Sequence, residues 1–540
     1  MKDISSTGSF IDFTLENFIY VDKTEYIPKL VKLKRVFITR PRRFGKSLTL
    51  DTIATLFETG VEPYFKGTWI YDKWTEPTYP VLRLNFLNLD NFSIDDFKNK
   101  LNSYITEFAN KIGVKEYAEK KEPEDSIDSM LEKLREEKRQ IVILIDEYDY
   151  QLTSNINHDD LYKQFQQKIK RFYANIKDKL AIKFLGITGV TRLKDVEIFS
   201  IGSDINDITN ESAFSQLIGF TRDEIKKYYI DHLKLAASYE NKCRVEEVTD
   251  AQIESMLDMM AQNYDGYCFD EDYEKKVFNT WSVNKFFQTM VGKKKVQFGE
   301  YWYDNGGLPS ILVNYLKTHE LNIFEYLDKD KFLKVSSDDF KNPTALTTIN
   351  QNVLMCQTGY LTLRSDLNKT STVALGIPNG EIYKALNRLL ANNIFKGNTD
   401  ITDDYGRSLL EVGTVDDIIN LFNSALNSVS YDNYPIVSES SVQNMLKLYL
   451  LGAHQKVLSE VHEAKGRADL VVNTDNRRIV FEFKYAKNET EAKTKLSEAV
   501  EQIKTRDYGN ILPKKAELIR IAAVFNADPK VRAFTEFQLV

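Results

Sequence analysis

A chain of 540 residues with 42% hydrophobic, 12% aromatic and 28% charged residues has length for roughly two to four domains and apolar surface to bury in each. That excludes a disordered or low-complexity protein. A formal net charge of −7 excludes a uniformly basic nucleic-acid coat, although a local basic cleft would not show in that total. Cys243, Cys268 and Cys356 are scattered and odd in number, against a disulfide framework or a Cys-ligated zinc. No opening stretch has the makeup of a secretory signal and no apolar run nears the roughly 18 residues of a membrane span, so a soluble cytoplasmic chain with no membrane partner is expected.

The first informative element is "RVFIT", residues 35–39, a β-branched and aromatic run that predicts a buried strand. The loop "RPRRFGKS" follows, and then "SLTLDTIATLFE", where Leu48, Ile53 and Leu56 recur at helical spacing. Strand, loop and helix in this order suit a phosphate-binding loop. Gly45 and the backbone N–H groups would wrap the phosphates, Lys46 would neutralise their oxygens, and Ser47 would bind Mg2+. Arg40 stands where the leading glycine of G-x-x-x-x-G-K-[ST] is expected, with Pro41, Arg42 and Arg43 behind it.

Further along, "TYPVLRLNFLNLD" predicts a second strand, and "RQIVILIDEYD" a third that ends in Asp146 and Glu147. Asp146 is placed to accept a magnesium-bound water, and Glu147 to polarise the water that attacks a γ-phosphate. "LAIKFLGITGVTRL" supplies a fourth strand, whose closing residues Thr188, Thr191 and Arg192 stand where a γ-phosphate sensor is expected. Helical stretches alternate with these strands, which predicts a parallel α/β core.

These segments, together with "YVDKTEYIPKL" and "IGFTRDEI", resemble the AAA-ATPase-like family of bacterial and mobile-element proteins. In that family R-P-R-R-F-G-K-S commonly stands in for the glycine-led loop. The resemblance implies ATP as ligand with Mg2+, bound by Arg42 or Arg43, Gly45, Lys46, Ser47, Asp146, Thr188 and Arg192, with Glu147 as the catalytic carboxylate. Binding is the firmer expectation, because a substituted loop can hold ATP without hydrolysing it quickly.

From 222 to 335 amphipathic runs such as "DEIKKYYIDHLKL" and "AQIESMLDMMAQ" predict a helical lid. "NYDGYCFD", "VFNTWSVNKFF" and "YWYDNGGLPSILVNYL" also match the family, with Thr280 in place of the proline usual before the tryptophan. Tyr264, Tyr267 and Trp281 are read as packing rather than as base-stacking residues. Residues 336–430 form a connector in which a helix leading into "GYLTLRS", "DLNKTS" and "TVALGIP" reads as winged-helix-like near 340–395. Few basic residues line its helix, so it is read as a link.

The last region, 431–540, carries a second chemistry. "GRADLVVNTDNRRIVFEFKYA" predicts a hairpin that sets Asp469 and Glu482 side by side on adjacent strands, with Lys484 on the same face. Two hard carboxylates would hold Mg2+ or Mn2+, and Lys484 would orient the attacking water. Glu439 begins a helix upstream, and Gln502 lies on an amphipathic helix downstream. The order helix Glu, Asp, Glu-x-Lys, helix Gln is similar to the PD-(D/E)XK nuclease superfamily. The naming proline is absent, since Gly466, Arg467 and Ala468 precede Asp469. The resemblance implies a restriction-endonuclease-like α/β domain with Glu439, Asp469, Glu482, Lys484 and Gln502 as its catalytic set.

This region holds 17 Lys and Arg against 15 Asp and Glu, slightly basic within an acidic chain. Lys465, Arg467, Arg477, Arg478 and Lys487 are expected to cluster at the site and meet a nucleic-acid backbone. The whole is expected to be an α/β protein of four parts. They are a parallel-sheet P-loop ATPase core (1–221), a helical lid (222–335), the connector (336–430) and the nuclease-like domain (431–540). The expected activity is ATP-controlled, metal-dependent cleavage of DNA or RNA, with homo-oligomerisation compatible. The rival is a non-catalytic, nucleotide-gated scaffold or nucleic-acid-binding regulator with a degenerate nuclease domain.

Overall fold

The computed structural model describes residues 1–193, 204–302, 310–316, 319, 323–343, 345–395, 405–453, 455–463, 466–508 and 516–540. They form two compact units, one of 1–319 with 332–382 and one of 320–331 with 383–540. Among the described residues no helix is long and apolar enough to cross a membrane.

In the first unit, helix α1 (Ile27–Leu33) leads into strand β1 (Arg35–Thr39), and helix α2 (Lys46–Thr59) follows the loop. Strand β2 (Val81–Asn85), helices α3 (Ile94–Lys111) and α4 (Pro123–Glu136), strand β3 (Ile141–Asp146), helix α5 (Asp159–Ile176), strand β4 (Ile182–Gly189) and strand β5 (Asn206–Asp207) complete the core. The sheet order is β2-β3-β4-β1-β5, with every pairing parallel. Every residue of β1 and β3 is buried, as a parallel strand covered on both faces requires, and their Val/Ile/Leu-rich sequences supply that surface. Gly45 ends the loop at φ 102°, a left-handed conformation that glycine adopts without a Cβ penalty.

Helices α6 (Arg222–Tyr228), α7 (Ile230–Asn241), α8 (Asp250–Tyr264) and α9 (Thr280–Lys293) follow. They share a core of Tyr229, Leu233, Met256, Met260, Tyr264, Phe286 and Phe287, against which Ile19 and Val21 of the N-terminal segment also pack. Thr221 and Thr249 each close a capping box at the head of a helix, satisfying backbone N–H groups that would otherwise lack partners. Beyond them, strand β6 (Leu333–Ser336), helices α10 (Ser337–Lys341) and α11 (Gln351–Thr358), and strands β7 (Thr362–Leu363) and β8 (Thr372–Gly376) build a small antiparallel sheet of order β6-β8-β7. A strand, two short helices and a closing hairpin thus follow one another in this segment.

The second unit is built on another five-stranded sheet. Helix α12 (Glu439–Gly452) precedes strands β9 (Lys456–Glu463), β10 (Gly466–Asn473) and β11 (Arg477–Ala486); helix α13 (Glu489–Arg506) and strands β12 (Glu517–Asn526) and β13 (Ala533–Leu539) follow. The order is β13-β12-β11-β10-β9; β11 and β12 run parallel and the other pairs antiparallel. Ala499, Val500 and Ile503 of α13 pack on Ala468, Val471, Val480 and Ala522 of the sheet. The small residues let the helix lie close to the strands that carry Asp469 and Glu482.

Candidate functional sites

The phosphate loop opens into a cavity of about 500 Å3. Its walls come from the N-terminal segment (Thr7, Tyr20, Lys23), the loop (Arg42 to Ser47), Glu147, and the helical region (Gly219, Phe220, Trp281). Lys46 is 4% exposed, with its ammonium on the Arg40 and Pro41 carbonyls at 3.1 and 3.3 Å and 3.6 Å from Glu147 Oε1. Its charge is held inside the curl of the loop by carbonyl dipoles. Burial pushes the Glu147 carboxyl above its usual range, while Lys46 pulls it back. Ser47 donates to Asp146 Oδ2 at 2.5 Å, and Thr188 donates to Asp146 Oδ1 at 2.5 Å. Asp146 is thus fixed from both sides directly beneath Ser47.

Arg40 explains how the loop does without its leading glycine. The side chain is 1% exposed and turns away from the cavity, donating to the Thr39 carbonyl at 2.8 Å and the Thr209 carbonyl at 2.7 Å. Its guanidinium lies 4.1 Å over the Phe269 ring, and burial lowers its pKa to about 9. Arg40 is therefore a peg between β1 and the segments at 209 and 269, leaving Arg42 and Arg43 to face the cavity.

The closing residues of β4 divide. Thr188 steadies Asp146, whereas Thr191 donates to Asp149 Oδ2 at 2.5 Å. Arg192 pairs with Asp207, donates to the Lys341 carbonyl, and is absent from the cavity wall. Sequence reasoning missed Asp149, which is 1% exposed and gathers the Val190 and Thr191 N–H groups. Its signal was its place three residues after Asp146 in "DEYD".

Tyr264 and Tyr267 are buried as packing, but Trp281 is not confined to the core and lines the cavity. Its ring stacks under the Arg43 guanidinium at 3.9 Å, while Thr280 donates to the Arg43 carbonyl at 3.1 Å. Proline at 280 would lack that hydroxyl, so the departure from the family pattern adds a bond between α9 and the loop.

In the second unit, Leu470 pairs with Phe481 across β10 and β11, which brings Asp469 opposite Glu482. Asp469 accepts from the Phe483 N–H at 2.8 Å. Glu482 is fully buried; Lys484 donates to its Oε1 at 2.8 Å, while its Oε2 has no hydrogen-bond partner. Burial raises Asp469 to about 6, and burial followed by the charge of Asp469 raises Glu482 to about 7. Lys484 loses charge stability to burial but regains more from Glu482 and Glu439, so its pKa is raised overall. Glu439, at the start of α12, lies 3.4 Å from the Lys484 ammonium.

Gln502 is held by Tyr508, donating to its Oη at 3.2 Å. Arg506, one turn further on, donates to the same Oη at 2.9 Å and lies within electrostatic reach of Glu482 and Asp469; sequence reasoning had not singled it out. Among the described residues no group of three or more His, Cys, Asp or Glu is arranged to cage a metal ion. A two-carboxylate site fits the residues better, because the buried, partnerless Glu482 Oε2 and the raised acids are what a cation would satisfy.

The expected basic cluster does not assemble as one. Arg477 bonds Glu517 and the Gly413 carbonyl, and Arg478 bonds Asn473. Both sit at the turn end of the hairpin, and Arg478 is four residues along β11 from Glu482, about 13 Å at strand rise. Arg467 remains within electrostatic reach of Asp469, and Lys465 lies outside the described residues.

Comparison with known proteins finds a family match in each of two regions of the chain. Residues 5–199 match the family described as predicted AAA-ATPase, and residues 437–535 match the PD-(D/E)XK nuclease superfamily. The chain is 25% identical over 528 residues to an uncharacterized protein in the vnfD 5′ region of Azotobacter chroococcum mcd 1, covering 95% of this chain and 94% of that one. Among solved structures, Cdc6p from Pyrobaculum aerophilum matches at 11% identity and a TM-score of 0.22, over 68% of this chain and 93% of that one; at that score the likeness carries no weight. The chain joins a domain of the predicted AAA-ATPase family to a domain of the PD-(D/E)XK nuclease superfamily.

Proposed function

We propose that the protein is an ATP-binding, metal-dependent phosphodiesterase acting on nucleic acid, in which the nucleotide state of the first unit controls cleavage by the second. The observation that carries the nuclease reading is the buried Asp469–Glu482 pair with one partnerless carboxylate oxygen and Lys484 bonded beside it. Asp469 and Glu482 would hold Mg2+ or Mn2+, which when bound supplies Lewis-acid stabilisation of the scissile phosphate and a more acidic water. Lys484 orients the attacking water and carries positive charge toward the phosphate as negative charge grows there. Glu439 keeps Lys484 protonated from the far side, and Gln502 positions the rim of the site through Tyr508.

In the first unit, the phosphates of ATP would replace the Arg40 and Pro41 carbonyls as partners of Lys46. Ser47 and Asp146 would hold Mg2+, and Glu147 would polarise the attacking water. Arg42 and Arg43 add charge at the loop's mouth. Arg192 enters this scheme only by leaving Asp207. The division at 221, 335 and 430 into core, lid, connector and nuclease-like domain belongs to the same proposal.

A second reading, a nucleotide-gated scaffold, draws on the closed Lys484–Glu482 pair, which gives the Lys484 ammonium a carboxylate partner without metal. Cleavage of labelled DNA and RNA with Mn2+ separates the two. Lys484→Ala should retain metal binding and lose cleavage by on the order of a hundredfold. Failure of the folded, metal-loaded wild type to cleave any nucleic acid would leave the scaffold.

A further inference from the structure

At the opposite end of the first unit's sheet lies a second cavity, of about 450 Å3. It is walled by the end of α1, the start of β1, the segment 73–76 and the start of β4. Arg35 opens β1 and Thr39 closes it, so about 13 Å of strand separates this cavity from the phosphate loop. Its charged lining is one-sided. Lys32, Lys34, Arg35, Lys73 and Lys183 face it against the single carboxylate of Glu76.

Glu76 is engaged by Lys183 at 2.7 Å, and Arg35 is engaged by Asp204 at 2.9 Å and the Lys179 carbonyl at 2.8 Å. Lys73 sits 4.4 Å over the exposed Trp69 ring. Lys32 and Lys34 are exposed, neither makes an ion pair among the described residues, and net positive charge remains at the mouth.

Among the described residues two donors buried in the wall lack acceptors, and each would meet a ligand only if the wall opened. Arg35 is 5% exposed, yet its Nε has no acceptor. The indole Nε1 of Trp74, in the same wall, also has none. Both groups can only donate. Moreover, Lys34 turns the chain from α1 into β1 at φ 63°, ψ −42°, a conformation that costs a side chain energy and is retained where the surroundings or a function demand it.

We propose that this cavity binds the phosphodiester backbone of a single-stranded nucleic-acid segment. Lys32 and Lys34 pair with successive phosphates, Trp74 in the wall offers aromatic surface to a base, and Trp69 beside Lys73 lies just outside the lining to take the next. Cations interleaved with aromatics on a groove suit a strand whose bases are unpaired. The proposal does not depend on cleavage by the second unit, so the two can fail separately.

The test uses the full chain in EDTA, with labelled dT20 and rU20 oligonucleotides followed by fluorescence anisotropy across a salt series. Lys32→Glu/Lys34→Glu should weaken strand binding about tenfold and make the log–log salt slope shallower by about 1.4, the value for two lost phosphate contacts on a single strand. The same charge change placed elsewhere, Lys294→Glu/Lys295→Glu, should have a much smaller effect, and ATP affinity should stay unchanged as the check on folding. Equal loss in both double variants, or an unchanged slope in Lys32→Glu/Lys34→Glu, would overturn the proposal. So would a loss confined to dTMP or inorganic phosphate with strand affinity intact.

Discussion

The two candidate sites of this protein solve the problem of unpaired charge in opposite ways. In the first unit the ammonium of Lys46 rests on the carbonyls of its own loop, Asp146 is bonded on both oxygens, and Arg40 is pegged into the core. In the second, Glu482 is buried with one oxygen lacking a partner, and burial lifts both acids toward neutrality. A site whose polar groups are mostly satisfied, Arg40 Nε excepted, keeps its shape without its ligand and binds by exchanging partners. One left unsatisfied is under electrostatic tension that pH or a cation relieves. Nucleotide should therefore act on the first unit, whereas a divalent cation and protons compete for the second.

The sharpest way to break this contrast is Lys46→Ala. The ammonium supplies charge-assisted bonds to phosphates in a site that partly excludes water, so ATP affinity should fall by more than about a hundredfold. Calorimetry on the folded variant checks it, and unchanged affinity would remove the nucleotide site from the first unit. Arg40→Met tests the same unit's self-sufficiency. It strips partners from the Thr39 and Thr209 carbonyls and should cost about 2 kcal/mol in denaturant unfolding.

The strand–loop–helix spelling, the acidic end of β3 and the hairpin register were legible because each is local: periodicity, a loop length and a two-residue alternation determine them. The role of Arg40 was not, since its partners come from 209, 214 and 269 and no spacing within the loop announces them. The same holds for Trp281, which reaches Arg43 across more than two hundred residues, and for the basic cavity assembled from 32–35, 73–76 and 183. Arg477 and Arg478 show the converse. Nearness in sequence to Asp469 suggested a cluster, but a strand spends length quickly and carried them to the far end of the hairpin.

The second unit's side of the comparison turns on protons. Raised pKa values near 6 and 7 for Asp469 and Glu482 mean that the folded chain holds protons that the unfolded chain releases near pH 4. The pair's stabilisation is thus complete below about pH 4 and is lost as pH rises through 6 to 7. Without metal, Tm should fall between pH 5 and 8 more steeply in wild type than in Glu482→Gln, which cannot titrate. Since metal competes with those protons, Mn2+ affinity should drop roughly twentyfold from pH 8 to pH 6. Calorimetric titration at the two pH values checks this, and a pH-independent affinity would place the metal elsewhere.

A smaller effect sharpens the first unit's account. Thr280→Val deletes the hydroxyl that bonds the Arg43 carbonyl and should cost about 1 kcal/mol of stability, with a change in Trp281 fluorescence as the indole loosens from Arg43. An unaltered indole spectrum would mean that the stack, rather than the hydroxyl, joins α9 to the loop.

The measurement that tests the central claim most directly is the rate of Mn2+-dependent cleavage with and without saturating ATP, in wild type and in Lys46→Ala. Control by nucleotide requires ATP to favour one conformational state over another. The account predicts that ATP shifts the wild-type rate and leaves the Lys46→Ala rate unmoved. Equal wild-type rates with and without ATP would contradict it.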